Sequence, residues 1–327
     1  DGALICKSLL QKNYEVIGLS KQNSSPSESL KKLGIEKEID LEVGDIKDEA
    51  IIKNLIDNYQ PEEIYNLAGQ SSVGKSFFIP RETTEGIVNG TLNILEVAKQ
   101  TNYKGKIFFA GSSEMFGLTN NAADVHHPQN PISPYGISKQ TSFKLVKFYR
   151  ESCGLYACSG ILFNHESPLR GREFVTKKVV ENLVRQKYQK GEILKLGNLD
   201  ANRDWGHAED YVDAMISILN QKKPDDYIIA TGKSNSVREF FLITAKILGF
   251  KPKFIGKGVN EKCIDLKSNK IIMKVDKKYY RDNELHFMRG DPSKSKKILK
   301  WKPKYNFIQM INEMVNYEVN QIKKIQN

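Results

Sequence analysis

Tyr135 and Lys139 stand one helical turn apart in the segment 133–139 (SPYGISK). A serine followed by a proline is typical of a helix start, so we expect both side chains on one face of the first turns. An ammonium group beside a phenol favours the phenolate and would lower the pKa of Tyr135 from its ordinary value of about 10. Tyr135 could then act as a general base toward a hydroxyl group, although the same spacing is common in helices where it is only structural.

Ser112 and Glu114 lie upstream of this helix, in the segment 111–117 (GSSEMFG), which follows an apolar run at 105–111. Loops at the carboxyl ends of parallel strands are where α/β sheets place their sites. Ser112 can hydrogen-bond an oxygen of a substrate, and Glu114 offers a carboxylate that can move a proton. The alternative is a polar exit from a strand with no chemical role.

The elements that position these residues alternate between strand and helix. We predict strands at 14–20, 39–44, 62–68, 105–111 and 156–163, and helices at 3–12, 47–59, 85–101 and 135–152. This alternation indicates βαβ units with right-handed crossovers, and therefore an α/β fold with a doubly wound parallel sheet. In such a sheet a central strand comes before the first helix. Because this chain opens on a helix after Asp1, we expect the first strand to precede the given sequence.

Beyond residue 164 the pattern is looser. We predict helices at 174–190, 208–221, 236–248 and 307–323, strands near 193–197, 226–231, 252–256 and 270–275, and a helix end at Trp301-Lys302-Pro303. This mixture indicates a smaller α+β C-terminal lobe, with some elements returning to the main sheet. We expect one domain from residues 1–164 together with 206–232, and the second lobe from 165–205 and 233–327.

Composition excludes several classes of protein. Of the 327 residues, 39% are apolar and 27% are charged, which is typical of a folded domain rather than a disordered or collagen-like chain. No apolar run reaches the roughly 18 residues that a membrane helix needs. Four scattered cysteines favour a reducing compartment such as the cytoplasm over a disulfide framework. The neighbouring pair His126-His127 has no further ligand at metal-site spacing.

The net charge of +11 suggests an anionic partner, which could be nucleic acid, an anionic membrane surface or a phosphorylated small molecule. The basic residues are spread through the chain in short pairs and form no tail of like charges. This distribution favours a phosphorylated small molecule, so we expect neither a nucleic-acid nor a membrane partner.

Several longer motifs carry a resemblance. They are 161–168 (ILFNHESP), 197–207 with its RDWGH run, 258–262 (GVNEK), 290–293 (GDPS) and 301–303 (WKP). With the two segments above, the chain resembles the extended short-chain dehydrogenase/reductase family of nucleotide-sugar enzymes, and within it the group of GDP-mannose 4,6-dehydratases. The resemblance covers nearly the whole chain and implies a Rossmann-type sheet with a C-terminal substrate lobe that binds the nucleotide sugar.

The resemblance implies a role for each of the four catalytic candidates. Tyr135 would take the proton of the sugar O4 while a hydride leaves C4, and Lys139 would hold the pKa of Tyr135 low and bind the nicotinamide ribose. Ser112, where the family usually has threonine, would hydrogen-bond O4. Glu114 would remove the C5 proton and assist the loss of the C6 hydroxyl as water. The hydride would return to C6, so the cofactor is recycled.

The same resemblance implies a tightly bound NADP. The expected cofactor-binding residues are Ser20, Lys21, Asp45, Ile46, Leu67, Ala68, Gly69, Gln70, Ser71, Lys139, His165 and Arg170. The second strand ends without the acidic residue that accepts a ribose 2′-hydroxyl, and Ser20 and Lys21 suit a 2′-phosphate instead. The glycine-rich turn of the family would end at Asp1-Gly2.

The substrate-binding residues implied by the resemblance are Ser112, Asn164, Val175, Lys178, Arg203, Arg281 and Glu284. Arginine suits bidentate contacts to phosphate, and glutamate can accept from a guanine edge. The chain departs from the family pattern at 130–133, which lacks an arginine, at Leu169 in place of an arginine, and at Glu82 in place of a cofactor-contacting tyrosine. A GDP-heptose 4,6-dehydratase, a GDP-sugar reductase or epimerase, and a non-catalytic nucleotide-binding remnant stay open as alternatives. Relatives assemble as homodimers or homotetramers.

Overall fold

A computed structural model describes residues 1–21, 27–280 and 287–326, with side chains to residue 324. In the first half the strands are β1 (Ile17–Ser20), β2 (Asp40–Val43), β3 (Glu63–Asn66), β4 (Lys106–Ser112) and β5 (Tyr156–Leu162). The helices are α1 (Gly2–Leu10), α2 (Glu28–Leu33), α3 (Glu49–Tyr59), α4 (Val73–Ser76), α5 (Pro80–Thr84), α6 (Gly90–Gln100) and α7 (Pro134–Cys153). A π-helical turn, Glu85–Asn89, joins α5 to α6, and a 3₁₀ helix, Ser113–Met115, follows β4.

The second half mixes short strands with longer helices. Its strands are β6 (Asn164–Glu166), β7 (Leu194–Leu196), β8 (Asn202–Arg203), β9 (Trp205–His207), β10 (Asp226–Ile229), β11 (Asn235–Ser236), β12 (Pro252–Ile255), β13 (Lys262–Asp265) and β14 (Lys270–Val275). Its helices are α8 (Val175–Tyr188), α9 (Ala208–Leu219), α10 (Val237–Ile247), α11 (Ser293–Ile298) and α12 (Phe307–Gln326). Single 3₁₀ turns lie at Gly258–Asn260 and Lys277–Tyr279.

The main sheet is parallel, in the order β10-β5-β4-β3, and β1 pairs in parallel with β2. Both β4 and β5 are buried along nearly their whole length, as expected of strands covered by helices on two faces. Successive side chains serve opposite cores: Phe108 packs with α1 and α9, and Phe109 packs with α3, α6 and α7. The prediction of a doubly wound parallel sheet is confirmed. The strand predicted at 226–231 returns to this sheet as β10.

A second sheet lies in the C-terminal part, in the order β12-β13-β14-β7. Its β12–β13 and β13–β14 pairs are antiparallel and its β14–β7 pair is parallel, so the sheet is mixed. Helices α8, α10 and α12 bury it in a third core that includes Phe240, Phe241 and Met314. The small pairs β6–β9 and β8–β11 lie outside both sheets.

The helix predicted at 85–101 is confirmed, and it continues directly from α5 through the π-helical turn. Another local prediction was wrong. The helix expected to end at Trp301 stops at Ile298, because Lys300 adopts a left-handed backbone with φ of 55° that cannot continue a helix. Trp301 is instead buried, and its indole N–H donates to the Asp210 carbonyl at 2.8 Å.

Within the described ranges, the helices are all too short or too polar to cross a bilayer.

Candidate active site

One cleft of about 660 Å³ opens at the carboxyl ends of the main-sheet strands. Ser112, Glu114, Tyr135 and Lys139 all line it. Ser112 is the last residue of β4, and Glu114 lies in the 3₁₀ turn that follows. The structure therefore brings together the two segments that the sequence analysis singled out, at the sheet edge where α/β folds place their sites.

The start of α7 sets the position of Tyr135. The Ser133 hydroxyl caps the helix by accepting from the Gly136 amide at 3.0 Å, and Pro134 occupies the first helical position. A Cβ atom on Gly136 would lie 2.7 Å from the Glu114 carbonyl oxygen. Only glycine therefore lets the helix approach the 3₁₀ turn this closely, and the approach holds Tyr135 beside Glu114.

Tyr135 is buried and hydrogen-bonded to Ser112. Burial and, to a smaller extent, the Glu114 carboxylate raise the pKa of Tyr135, the Ser112 hydrogen bond and the charge of Arg170 oppose the shift, and the net pKa is about 12. The expected lowering of this pKa by Lys139 is not what the structure shows. In the ligand-free protein, Tyr135 is protonated at neutral pH.

The ammonium group of Lys139 is hydrogen-bonded to a backbone carbonyl. It donates to the Ala110 carbonyl at 2.8 Å, and it lies 5.8 Å from the centre of the Tyr135 ring and 5.0 Å from that of Phe109. Burial lowers the pKa of Lys139 to about 8, because little water reaches the charged form. The sequence-based expectation was wrong because the low dielectric around both groups outweighs the attraction that their spacing suggested.

His165, on β6, and Arg170 also line the cleft. The His165 ring stacks on Tyr211 with centroids 4.5 Å apart, and burial lowers its pKa to about 3, so the ring is neutral at physiological pH. Its Nδ1 lies 2.7 Å from the Phe163 carbonyl, which can only accept, so Nδ1 carries the proton. Arg170 pairs with Glu166 at 3.1 Å.

The cofactor-binding candidates are divided between the cleft and its surroundings. Those that line the cleft are Leu67, Gly69, Gln70, Ser71, Lys139, His165 and Arg170. Ser20, Lys21, Asp45, Ile46 and Ala68 are not part of that lining. At Gly69, φ is 110° and a Cβ atom would lie 2.8 Å from Ile87, so a bare backbone faces the cleft here. Such a backbone suits close approach of a flat or phosphorylated ligand.

Lys21 and Asp45 form an ion pair of 3.0 Å where β1 and β2 end. Partial burial raises the pKa of Asp45, but hydrogen bonds from the Lys47 amide and the Lys21 ammonium outweigh it and lower this pKa overall. The predicted phosphate ligand Lys21 thus already has a carboxylate beside it.

The substrate-binding candidates Asn164, Val175, Lys178 and Arg203 line the same cleft as the catalytic group. Val175 is the first residue of α8, whose N-cap residue Phe174 makes no side-chain cap, so the helix presents backbone N–H groups toward the cleft. Lys178 donates to the Lys195 carbonyl at 2.7 Å and lies 3.6 Å from the centre of the Tyr279 ring. Arg281 and Glu284 lie outside the described residues.

Comparison with known proteins decides the family. The family model described as GDP-mannose 4,6 dehydratase matches residues 1–314 of this chain. GDP-mannose 4,6-dehydratase of Vibrio cholerae is 39% identical over 340 residues, covering 98% of this chain and 91% of the relative. The human GDP-mannose 4,6 dehydratase is 39% identical over 329 residues, covering 98% and 88%.

The chain belongs to the GDP-mannose 4,6-dehydratase family.

Solved structures of lower identity share the fold. A dTDP-glucose 4,6-dehydratase from Streptomyces venezuelae, solved with NAD and TYD bound, matches with a TM-score of 0.83 at 21% identity, over 99% of this chain and 95% of that chain. The UDP-glucose 4-epimerase of Thermotoga maritima, solved with UDP-glucose, matches with a TM-score of 0.81 at 21% identity, over 100% and 96%. The Rossmann-type fold inferred from the strand–helix alternation is therefore confirmed.

The residues at which this chain departs from the family pattern lie partly inside and partly outside the cleft. Ser112 keeps the hydroxyl of the usual threonine and holds it on Tyr135. Leu169 lines the cleft, whereas Glu82 lies on α5 and is not part of the lining.

Further residues that were not predicted line the cleft, among them Glu166, Trp205 and Tyr279. Glu166 and Trp205 lie within the motifs 161–168 and 197–207, which could have identified them. No pattern in the sequence pointed to Tyr279. The structure places it there by ending β14 near β7.

Among the described residues, no group of three His, Cys, Asp or Glu side chains is arranged to hold a metal ion.

Proposed function

We propose that this protein is a GDP-mannose 4,6-dehydratase, which converts GDP-mannose to GDP-4-keto-6-deoxymannose with NADP as a recycled hydride carrier. The observation that carries the proposal is Glu114, which shares one cleft with Ser112, Tyr135 and Lys139. Oxidation of C4 needs only one acid–base group, whereas loss of water across C5 and C6 needs a second. Glu114 is the carboxylate that can act as this second group.

The first proton transfer belongs to Tyr135. Its phenol would take the O4 proton, with Ser112 hydrogen-bonded to the same oxygen. Because burial holds the pKa of Tyr135 at about 12, it becomes a base only when further positive charge enters the cleft. NADP, held by residues such as Gln70, Ser71 and Lys139, would supply that charge when bound, together with the capacity to take a hydride from C4 and give it back at C6.

Glu114 would carry out the elimination. Once C4 is a ketone, the C5 proton is acidic, and the Glu114 carboxylate would remove it. The resulting carboxylic acid would then protonate the C6 hydroxyl, which leaves as water. After this step Glu114 is again a carboxylate. The addition of hydride at C6 needs a proton at C5, and the proton that Tyr135 took from O4 balances it, so C4 stays a ketone and Tyr135 returns to its starting state.

The residues around the cleft fit a nicotinamide dinucleotide. Gly69 offers bare backbone, Gln70 and Ser71 offer polar side chains, and buried neutral His165 adds no charge. NADP rather than NAD is favoured by Ser20 and Lys21, because a hydroxyl and an ammonium can bind a 2′-phosphate, which would replace Asp45 as the partner of Lys21. Asp45, Ile46, Leu67, Ala68, Lys139 and Arg170 complete the proposed cofactor set.

The GDP moiety would lie on the second wall. The uncapped N-terminus of α8 at Val175 suits a phosphate, and Lys178 and Arg203 add positive charge. Asn164 offers an amide to the sugar or the nearby phosphate. This wall belongs to the proposed substrate lobe (165–205 and 233–327), and the catalytic group belongs to the proposed dinucleotide-binding domain (1–164 and 206–232).

The purified protein, incubated with GDP-mannose and NADP, should form a product that is lighter by one water. A Glu114→Gln variant should lose this product by at least about a hundredfold, because it lacks the base for C5, yet still pass hydride from C4 to NADP in a single turnover. Mass spectrometry and NADPH absorbance read the two steps separately. Full dehydration by the variant would contradict the role of Glu114.

A panel of substrates separates the alternatives. GDP-heptose in place of GDP-mannose tests the sugar, and only a dehydratase loses water, whereas a reductase or an epimerase does not. NAD in place of NADP tests the cofactor. Absence of any turnover with bound GDP would favour a nucleotide-binding remnant. We also propose a cytoplasmic homodimer or homotetramer, which sedimentation of the purified protein would test.

A further inference from the structure

Asp204 is fully buried between β8 and β9, and its carboxylate accepts four hydrogen bonds. Oδ1 accepts from the Thr231 amide at 2.8 Å and from the Thr231 hydroxyl at 2.6 Å. Oδ2 accepts from the amides of Gly232 at 2.9 Å and Gly290 at 3.3 Å. No catalytic or binding role described above uses this carboxylate.

The donors belong to parts of the chain that are far apart in sequence. Thr231 and Gly232 follow β10, the edge strand of the main sheet. Gly290 lies on a segment that pairs with the loop after β4, through a bridge to Ala123. A Cβ atom on Gly290 would lie 2.4 Å from that of Ala230. The Gly290 backbone is therefore pressed against the main sheet while its amide reaches Asp204.

The neighbours of Asp204 in sequence face the cleft. Arg203 and Trp205 both line it. Strand β9 pairs with β6, with Asn164 opposite Trp205, and β8 pairs with β11, with Arg203 opposite Asn235. Asp204 is thus the point at which the substrate wall of the cleft is attached to the main sheet that carries Ser112.

Only a carboxylate satisfies this arrangement. All four groups around Asp204 donate, and an asparagine would turn an NH₂ group toward two of them. Burial raises the pKa of Asp204, and the hydrogen bonds from Thr231, Gly290 and Gly232 oppose the shift. Burying a charge costs free energy, and apolar side chains at this position would fix the orientation of the substrate wall relative to the main sheet less precisely.

We propose that Asp204 is a positioning residue, which sets the distance and angle of Arg203 and Trp205 relative to the catalytic side chains on β4 and α7. The proposal rests on the proposed function, because it takes the wall that contains Arg203 to bind the GDP moiety. Asp204 itself contacts neither sugar nor cofactor.

The test compares two buried aspartates. Asp204→Asn should raise the KM for GDP-mannose and the Kd for GDP at least tenfold, and change the Kd for NADP by less than about threefold, because most of the proposed cofactor residues lie at the ends of β1, β2 and β3, which supply none of the four hydrogen bonds to Asp204. Asp210→Asn is the matched control: Asp210 is also buried and accepts two backbone amides, those of Lys304 at 3.0 Å and Tyr305 at 3.1 Å, but its sequence neighbours Glu209 and Tyr211 do not line the cleft. It should lower the melting temperature without changing KM.

A milder pair of variants covers the case in which Asp204→Asn does not fold. Thr231→Val removes one of the four donors and should raise KM severalfold, and Thr231→Ser, which keeps the hydroxyl, should restore it. An unchanged KM in Thr231→Val, or equal increases in Asp204→Asn and Asp210→Asn, would overturn the proposal. Wild-type protein that neither binds GDP nor converts GDP-mannose would overturn the proposed function, and this inference with it, before any variant is compared.

Discussion

At the scale of single residues, the cleft combines a phenol that is hard to ionise with an ammonium that is hard to keep charged. Burial raises the pKa of Tyr135 to about 12 and lowers that of Lys139 to about 8. The pKa values of the two groups are therefore about four units apart, whereas those of the free side chains, 10.0 and 10.5, are nearly equal. Positive charge must therefore enter the cleft before Tyr135 can act as a base, and the high pKa of its phenol suits its later role as an acid.

We expect the buried ammonium of Lys139 to lower the stability of the folded protein. Its pKa falls from 10.5 to about 8 on folding. Between these two values the unfolded chain binds a proton that the folded chain does not, so stability rises with pH across this window, and the full cost is present below it. At 1.36 kcal/mol per pKa unit, this loss of stability is about 3 kcal/mol, and the hydrogen bond to the Ala110 carbonyl offsets about 1 kcal/mol of it.

Lys139→Met should therefore raise the free energy of unfolding at neutral pH by roughly 1–3 kcal/mol, while turnover falls at least about a hundredfold. Urea unfolding followed at neutral pH and near pH 9.5 checks both the sign and the window, since the advantage should shrink as the wild-type lysine loses its proton. Lys144→Met, at an exposed position of the same helix, is the control and should change stability little. A variant that is less stable at neutral pH would show that the buried ammonium is not a cost.

At the scale of elements, the site depends on how closely α7 approaches the turn after β4. Ser133 caps the helix, and Gly136 allows its first turn to touch the Glu114 carbonyl. The two segments are separated in sequence by the loop 116–132, so their contact comes from packing, not from local preference. Tyr135 and Glu114 stay neighbours only while this contact is kept.

Gly136→Ala should separate the two catalytic side chains. The new Cβ would meet the Glu114 carbonyl oxygen at 2.7 Å, and backbone cannot move away cheaply. We expect a loss of about 1–3 kcal/mol in stability and a fall in kcat of at least tenfold. The control is Gly86→Ala in the π-helical turn, where a Cβ atom meets nothing within 4 Å, and it should be neutral or slightly stabilising. Equal kinetics in the two variants would contradict the role of the close approach.

At the scale of the whole molecule, two sheets with separate cores meet at one cleft. Strand β4, the turn that follows it and helix α7 carry the catalytic group. The substrate wall is carried by β6, α8 and β8. The net charge is a property of the whole molecule and not of either sheet. The excess of Lys and Arg, +11 in total, favours approach of an anionic nucleotide sugar from any direction.

Salt should therefore lower the rate of substrate association more than the rate of the chemical steps. Raising the ionic strength from about 0.05 M to 0.5 M shortens the screening length severalfold, and kcat/KM for GDP-mannose should fall by roughly threefold to tenfold. The kcat at saturating substrate should change less than twofold, because buried groups in the cleft are screened little. Steady-state rates over a series of KCl concentrations measure both, and a KM that is insensitive to salt would contradict long-range attraction.

The amino-acid sequence by itself determined the parts of this protein that depend on local pattern. Alternating apolar runs and helical spacings predicted the strands of a parallel sheet, since periodicity reports which face of an element is buried. It also placed Ser112 and Glu114 at a strand end and Tyr135 and Lys139 on one helix. Short elements such as β6, β9 and β13 were missed, because two to four residues carry too little pattern to be recognised.

Tertiary structure alone decided the features that depend on contacts distant in sequence. It raised the pKa of Tyr135 where the spacing suggested a lowering, because burial is a property of the packed core and not of the segment. It paired Lys21 with Asp45 and brought Thr231 and Gly290 to the carboxylate of Asp204. Which groups lose their water, and which donors converge on one acceptor, is settled only when the chain has folded.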